Sequence, residues 1–304
     1  MKVWVSPYEL KYRELSSQKG RKGFLIKVQS SDFEYGYGDY FPWPEFGDSE
    51  IEKALKELES GRHSTLLSKS LSFAIKDGEA RAIRKSLTLG VEKLRNHKLI
   101  THVENCEESF INSSIEQGFS SFKIKVGNDQ DKELSVLKLF EGKPCKVRLD
   151  FNGKMTNDWI SHLLDYAHFI EFIEDPFNEA CDWEHLQNLT GISLAYDQAS
   201  LDEKDAGAEL KIIKPAKQRH KKTMGEDVVF TSYLDHPVGI AHACVEALEY
   251  GEQKRDYGLM SYEVYDLDSS HHGIKSLGNK FWFSEGYGIG FDHLWKELSW
   301  VFVK

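Results

Sequence analysis

The 304-residue sequence has few cysteines and no long apolar run. Its cysteines are scattered without paired spacing, so neither a zinc site nor a disulfide framework is expected, and we predict reduced, mostly buried thiols. They are Cys106, Cys145, Cys181 and Cys244. No stretch of about 18 apolar residues is present, and the amino terminus lacks a basic region followed by an apolar core. We therefore expect a cytoplasmic protein with no membrane contact.

Basic residues are also not in excess. The formal net charge is -10, whereas a nucleic-acid-binding protein needs a basic face to neutralise phosphates. Hydrophobic residues at 40% and charged residues at 29% are ordinary for a globular chain. The expected partner is a small-molecule carboxylate substrate rather than nucleic acid or membrane. The oligomeric state is left open and includes a monomer.

Five short apolar runs, each with a charge toward its carboxyl end, organise the middle of the chain. The charges are Lys125, Asp150, Glu174, Asp197 and Lys214. The first four follow one another at steps of roughly 25 residues, the length of a strand, a loop and a helix, and Lys214 comes about 17 residues later. In a closed parallel barrel, groups at the carboxyl ends of strands meet at one mouth. The sequence therefore predicts an α/β fold, a modified TIM barrel of the (β/α)7β type.

The first hundred residues have a different pattern. Antiparallel strands, a loop at Phe41-Pro42-Trp43-Pro44 and two helices predict an α+β domain. We place this domain at residues 1–96, the barrel at 97–268 and a segment that returns to the first domain at 269–304. The first barrel strand is predicted at Leu99–Val103 and the eighth at Leu259–Tyr262.

The strand-end charges predict a metal site between two amines. Asp150, Glu174 and Asp197 supply the oxygen ligands that Mg²⁺ accepts, and without a cation they would repel one another. Lys125 and Lys214 would lie on strands two and six, which face each other across the ring. Beside a cation, their pKa values would be depressed and a neutral amine would be available as a base. Ion pairs between each lysine and an acid are the simpler structural alternative.

These residues resemble a known family. The motifs that carry the resemblance are Phe122-Lys123-Ile124-Lys125, Leu149-Asp150-Phe151-Asn152, Ile173-Glu174-Asp175-Pro176, Ala195-Tyr196-Asp197-Gln198 and Ile213-Lys214-Pro215. Together they look like the strand-end motifs of the enolase superfamily, muconate-lactonising subgroup, whose members use a lysine base with Mg²⁺. The segment Gly36-Tyr37-Gly38-Asp39 and the proline-containing loop after it are similar to that family's capping domain. Nearly the whole chain is covered.

Within that subgroup, the short length, the Pro-Trp-Pro loop and Tyr257-Gly258-Leu259 are most similar to a dehydratase of menaquinone biosynthesis. The resemblance implies syn loss of water from a cyclohexadiene carboxylate that carries a succinyl group. Lys125 would remove the α-proton and protonate the departing hydroxyl, and Lys214 would stabilise the enediolate from the other face. The resemblance makes Asp150, Glu174 and Asp197 the Mg²⁺ ligands. It makes Lys123, Asn152 and Ser232 substrate-binding residues. Gln198 stands where relatives often have Glu, which leaves the tuning of a lysine open.

Two other functions remain open on the sequence. An N-acylamino acid racemase or dipeptide epimerase on the same scaffold would use two opposed lysines at least as well, because each can exchange a proton on one face. A barrel that binds a metal or carboxylate without turnover is the other alternative, because fold alone does not guarantee chemistry.

Overall fold

The chain folds around two large sheets with separate hydrophobic cores. The computed structural model describes residues 1–13, 20–178, 181–197, 208–218, 226–267 and 273–304. A four-stranded antiparallel sheet is built mainly from the amino-terminal part, and a seven-stranded parallel sheet follows it. The predicted fold class, a modified TIM barrel with an α+β cap, is confirmed.

The antiparallel sheet has the order β13-β1-β2-β3. Its strands are β1 (Lys2–Leu10), β2 (Arg21–Gln29), β3 (Gly36–Tyr40) and β13 (Val301–Phe302). Successive side chains of β1 point to opposite faces of the sheet, so that Val3 and Val5 are buried while Lys2 is exposed. The helices α1 (Ile51–Ser60) and α2 (Thr65–Ala82) pack on this sheet. Residues 41–43 form the predicted loop, and a 3₁₀ turn, Pro44–Phe46, follows it.

Close approach of α2 to β3 depends on two glycines. A Cβ on Gly36 would lie 2.0 Å from the carbonyl oxygen of Ala74 and 2.5 Å from the amide nitrogen of Gly78. A Cβ on Gly78 would lie 2.3 Å from the ring of Phe33. Since these distances are far inside van der Waals range, the absence of a side chain at Gly36 lets α2 lie close to β3, and its absence at Gly78 leaves room for the Phe33 ring beside the helix.

We therefore expect Gly78→Ala to destabilise the protein, although alanine is favoured over glycine in a helix interior by about 1 kcal/mol. Overpacking against Phe33 costs about 1 to 3 kcal/mol, because the ring of this buried residue would have to move. The measurement is the free energy of unfolding in urea. Ser72→Ala, at an exposed position of the same helix, is the control and should be neutral or stabilising. A more stable Gly78→Ala protein would contradict the packing described.

The parallel sheet contains consecutive strands in chain order. They are β4 (Lys98–Ile100), β5 (Ser121–Lys125), β6 (Lys146–Asp150), β7 (Ile170–Glu174), β8 (Leu194–Tyr196), β9 (Leu210–Ile213) and β10 (Asp227–Phe230). Helices follow most of these strands. They are α3 (Glu108–Glu116), α4 (Gln130–Lys138), α5 (Asn157–Tyr166), α6 (Cys181–Thr190) and α7 (Pro237–Tyr250).

The eighth strand position is occupied by only two residues, Tyr257 and Gly258. Tyr257 forms a parallel bridge with Asn96 beside β4, and Gly258 forms one with Thr231 beside β10. These bridges join the two edges of the sheet and close the barrel. The prediction of a strand at Leu259–Tyr262 was wrong, because the chain turns into a 3₁₀ helix at Ser261–Val264. The first strand also ends earlier than predicted, at Ile100, and a 3₁₀ turn occupies Val103–Asn105.

The carboxyl-terminal part contacts the amino-terminal sheet. The hairpin of β11 (Ile274–Leu277) and β12 (Lys280–Phe283) and the short helix α8 (Leu294–Glu297) precede β13, which pairs with β1. The proposed domain boundaries stay a prediction, and that at 268/269 lies outside the described residues.

Three cysteines are free and buried, as predicted: Cys106, Cys145 and Cys244. The side chain of Cys181 lies outside the described part. No helix among the described residues has the length and apolar character needed to cross a bilayer.

Candidate active site

Strand register brings the predicted acids and one lysine to the same level of the barrel. Lys125 at the end of β5 is the pairing partner of Asp150 at the end of β6, and Asp150 is the partner of Glu174 at the end of β7. Glu174 pairs in turn with Ala195, two residues before Asp197. Because the strands are parallel, all these side chains lie at the carboxyl-terminal mouth.

The ammonium group of Lys123 lies between two of the carboxylates. Its Nζ is 2.6 Å from Oε1 of Glu174 and 3.0 Å from Oδ2 of Asp150. The Lys123 side chain is only 11% exposed, and those of its partners are 1% and 2% exposed. In this position the ammonium group is paired with the two acids, and the predicted contact of Lys123 with a substrate stays a prediction.

Lys125 is the more accessible of the two lysines on β5. Its side chain is 36% exposed, and its Nζ lies 3.0 Å from Oδ1 of Asn152 and 3.4 Å from Oδ2 of Asp150. Asn152 has a left-handed backbone conformation, with φ of 48°, which turns the chain directly after β6. Asn152, predicted to bind substrate, therefore holds the predicted base in its present position.

Lys214 lies at the opposite side of the ring. It directly follows β9, four strands along the sheet from β5, and the two-residue bridge at Tyr257 and Gly258 makes the ring eight positions round. Its Nζ forms an ion pair with Oδ2 of Asp197. The two predicted amines thus face each other across the mouth, as their spacing predicted.

Asp175, which the sequence analysis did not single out, fixes the position of a predicted ligand. Its Oδ1 accepts a hydrogen bond of 3.0 Å from the backbone amide of Asp197. Like Asn152, it has a left-handed conformation, with φ of 43°. Its place directly after Glu174 and before a proline was the available signal. Gln198, whose effect on a lysine was left open, lies outside the described residues.

The charges crowded at the mouth shift the pKa values of two of its acids, Asp150 and Glu174. Burial would raise the pKa of Asp150, but the nearby ammonium groups of Lys123 and Lys125 outweigh it and hold the pKa below its usual range. Burial raises the pKa of Glu174 to about 8, and repulsion from Asp150 adds to this against the single ammonium of Lys123. The pair of lysines near Asp150 explains why these two acids shift in opposite directions.

The pKa of Lys214 is set by the acids around it. Burial would lower the pKa of Lys214, but the carboxylates of Asp197 and Glu174 reverse this and raise the pKa above its usual value. This shift is opposite to the lowering expected for a lysine beside a bound cation. The reason is direct contact with Asp197, so the ion-pair alternative describes Lys214 as it lies here.

The carboxylates have oxygen atoms to offer to a cation. Asp150 Oδ1, Glu174 Oε2 and Asp197 Oδ1 are buried and have no hydrogen-bond partner among the described residues. Buried carboxylate oxygens are normally satisfied, and hard oxygen donors are the type that Mg²⁺ prefers. In their present positions, however, no three His, Cys, Asp or Glu side chains of the described ranges form a metal-holding group. The donor chemistry fits Mg²⁺, and an ion that bound here would compete with the ammonium groups of Lys123 and Lys214.

Ser232, also predicted to bind substrate, is buried just past β10. Its hydroxyl is hydrogen-bonded to that of Ser261 and accepts a bond of 3.2 Å from the amide of Leu234. Only 5% of Ser232 is exposed. The side chain therefore stabilises the turn after β10, and its contact with a substrate stays a prediction.

Comparisons with known proteins show which sequences this chain is similar to. The family model for the N-terminal domain of o-succinylbenzoate synthase matches residues 3–80. The chain is 31% identical to the o-succinylbenzoate synthase of Bdellovibrio bacteriovorus, over 100% of this chain and 99% of that protein. It is 22% identical to the L-Ala-D/L-Glu epimerase of Francisella tularensis subsp. novicida, over 85% of this chain and 84% of that protein.

Solved structures share the fold. A dipeptide epimerase from Enterococcus faecalis superposes with a TM-score of 0.74 at 16% identity, covering 95% of this chain and 98% of that one. An enolase superfamily member from Listeria innocua gives a TM-score of 0.73 at 17% identity, covering 100% of this chain and 99% of that one. At such identities the likeness concerns the fold alone.

Proposed function

Since this chain belongs to the o-succinylbenzoate synthase family of the enolase superfamily, we propose that it is an Mg²⁺-dependent dehydratase. The substrate would be a hydroxycyclohexadiene carboxylate that carries a succinyl group, and syn loss of water would form the aromatic ring of o-succinylbenzoate. Two lysines, Lys125 and Lys214, on opposite sides of an acidic mouth support proton-transfer chemistry of this kind. The observation that favours dehydration is the 31% identity to an o-succinylbenzoate synthase over the whole chain. Menaquinone biosynthesis is the pathway that the resemblance implies.

In the proposed reaction the two lysines and the three acids have different roles. Lys125 would take the α-proton and return it to the departing hydroxyl on the same face, which is what a syn elimination requires. Its contact with Asn152 would orient it. The ammonium of Lys214 would stabilise the charge that develops on the opposite face. Asp150, Glu174 and Asp197 would hold Mg²⁺, which when bound stabilises negative charge on the substrate carboxylate.

The direct test is an ultraviolet assay for the aromatic product, with the cyclohexadiene substrate and the wild-type protein. We expect product in the presence of Mg²⁺ and almost none after chelation. Without a cation, the acids at the mouth would repel a carboxylate substrate, and negative charge on the substrate would not be stabilised. Restoring Mg²⁺ should restore the rate. Absence of product under all conditions would refute the proposed dehydration.

Epimerisation of an N-acylamino acid or dipeptide is the second candidate. The observation that favours it is that both amines reach the opening, with 36% of the Lys125 and 26% of the Lys214 side chain exposed. Deuterium from solvent would then enter the α-position of such substrates. Exchange at a rate above that of product formation in the dehydration assay would favour the isomerase.

A further inference from the structure

The proline loop, residues 41–48, is tied to the barrel mouth through one carboxylate. The side chain of Asp48 is 3% exposed and accepts three hydrogen bonds. Its Oδ2 receives the amide of Trp43 at 2.9 Å and the hydroxyl of Tyr233 at 2.9 Å, while its Oδ1 receives the ammonium of Lys217. Since Trp43 belongs to the loop and Tyr233 and Lys217 to the barrel, Asp48 joins the two.

A second contact runs in the other direction. The indole Nε1 of Trp43 donates to the backbone carbonyl of Tyr233 at 3.0 Å, and the two rings meet edge to face at 6.2 Å. The guanidinium of Arg21 covers the indole, 3.4 Å from its centroid. Only 9% of Trp43 is exposed. The loop is thus docked by reciprocal hydrogen bonds to one barrel residue.

That barrel residue lies beside a predicted catalytic amine. The Nζ of Lys214 is 6.0 Å from the ring centroid of Tyr233, and the Nζ of Lys217 is 5.4 Å from it. Lys217 belongs to the same turn as Lys214, since its amide donates to the Lys214 carbonyl at 2.9 Å. Burial and the carboxylate of Asp48 raise the pKa of Tyr233, so its hydroxyl remains a donor to Asp48. The ring therefore forms a wall next to the amine.

We propose that Asp48 is a positioning residue of the active site, which docks the proline loop on the barrel and sets the Tyr233 ring beside Lys214. The inference rests on the proposed function for its effect on catalysis, whereas the docking itself can be tested without substrate. Asp48 would act through Tyr233 and the loop, and not by contact with the reacting atoms. Its removal should weaken productive binding more than it slows the chemical step.

The test uses Asp48→Asn, which removes the charge at nearly constant shape, and Tyr233→Phe, which removes only the hydroxyl. Glu246→Gln is the matched control, because Glu246 forms a 3.0 Å ion pair with Lys69 that joins α2 to α7 away from the mouth. The first readout is hydrogen–deuterium exchange of residues 41–50 in the full chain without substrate. We expect faster exchange in Asp48→Asn and Tyr233→Phe, and no change in Glu246→Gln.

The second readout is steady-state kinetics of the dehydration. We expect KM to rise about tenfold in Asp48→Asn while kcat changes by less than about threefold, because the charged hydrogen bond between the loop and Lys217 of the barrel is lost but the predicted catalytic amines remain. The double variant Asp48→Asn/Tyr233→Phe should raise KM by less than the product of the two single effects, since both changes affect the hydrogen bond between these residues. Unaltered exchange in both variants would overturn the docking role. Faster exchange with unaltered KM would overturn the positioning role, and a wild-type protein without activity would refute the proposed function while exchange still decided the docking.

Discussion

Replacing Lys125 with alanine is expected to lower kcat for the dehydration by about 10²- to 10⁴-fold, the usual contribution of a positioned general acid–base group. Lys125 is the accessible amine on β5, and the same residue would both remove the proton and deliver it to the leaving hydroxyl. Without it, water would have to perform both transfers. The measurement is kcat from the appearance of aromatic product under saturating Mg²⁺.

The fold should survive this change. Asp150, which loses a 3.4 Å contact with Lys125, keeps its 3.0 Å contact with Lys123. Unfolding by heat should therefore occur near the wild-type temperature. Lys132→Ala, an exposed lysine on α4, is the control and should leave kcat within about twofold of wild type. A similarly small change in Lys125→Ala would eliminate Lys125 as the base.

The second large effect concerns stability. Lys123→Met should destabilise the metal-free protein by about 3 to 5 kcal/mol at pH 8, because the buried carboxylate of Asp150 loses its nearest ammonium and the partly ionised Glu174 loses the same partner. Asp150 would keep only the weaker contact with Lys125, and Glu174 would keep none of its ion pairs in the described part of the chain. The measurement is the free energy of unfolding in the presence of a chelator.

Two changes of condition should reduce that loss. The pKa of Glu174 is raised to about 8 in the folded protein, so its charging opposes folding increasingly as pH rises from its unfolded-state value toward 8. Both proteins should therefore be more stable at pH 5 than at pH 8 through this group. The variant should gain slightly more, because loss of the Lys123 ammonium raises the pKa of Glu174 further. Mg²⁺ should stabilise Lys123→Met more than wild type, because the cation no longer competes with this ammonium.

Lys98→Met is a matched control that removes an ion pair outside the group of acids at the mouth. Lys98 pairs with Glu263 at 2.8 Å, with 16% and 29% of the side chains exposed, and Lys98→Met should cost less than about 1 kcal/mol. An equal loss of unfolding free energy in Lys98→Met and Lys123→Met would contradict the prediction, because it would show that Lys123 stabilises the acids at the mouth no more than an ordinary ion pair does. Equal stabilisation of wild type and Lys123→Met by Mg²⁺ would contradict competition for the same carboxylates.

The barrel strands were predictable because their pattern is local and repeated. Apolar runs that end at Lys125, Asp150 and Glu174 recur at the spacing of a βα unit, and parallel pairing then places their ends together. The eighth strand was misplaced for the opposite reason. Only two residues, Tyr257 and Gly258, form the bridges, which is too short a segment to show an alternating pattern. The strand was therefore predicted in the more apolar stretch that follows them.

The sequence predicted that these charged side chains would meet at one mouth, but it did not predict the contacts between them. Alternation along β5 placed Lys123 and Lys125 on one side, yet it could not reveal that Lys123 would lie between two acids. The contacts of Asp48 were invisible for a further reason. Its partner Tyr233 lies far along the chain, in a turn with no periodic signal, and only the assembled fold brings the two together.

The pairing of β1 with β13 bears on how this molecule forms. Val3 and Lys304 are hydrogen-bonded at 2.7 Å, although nearly the whole sequence separates them. Most barrel strands, by contrast, pair with the next strand along the chain after one helical crossover, and in the described part of the barrel only the closing bridge of Tyr257 to Asn96 joins strand positions far apart in the sequence. Because contacts between distant residues form slowly, the antiparallel sheet should acquire its last strand after the barrel has assembled. Completion of the cap would then be a late folding event, so a refolding population could contain finished barrels whose caps are not yet complete.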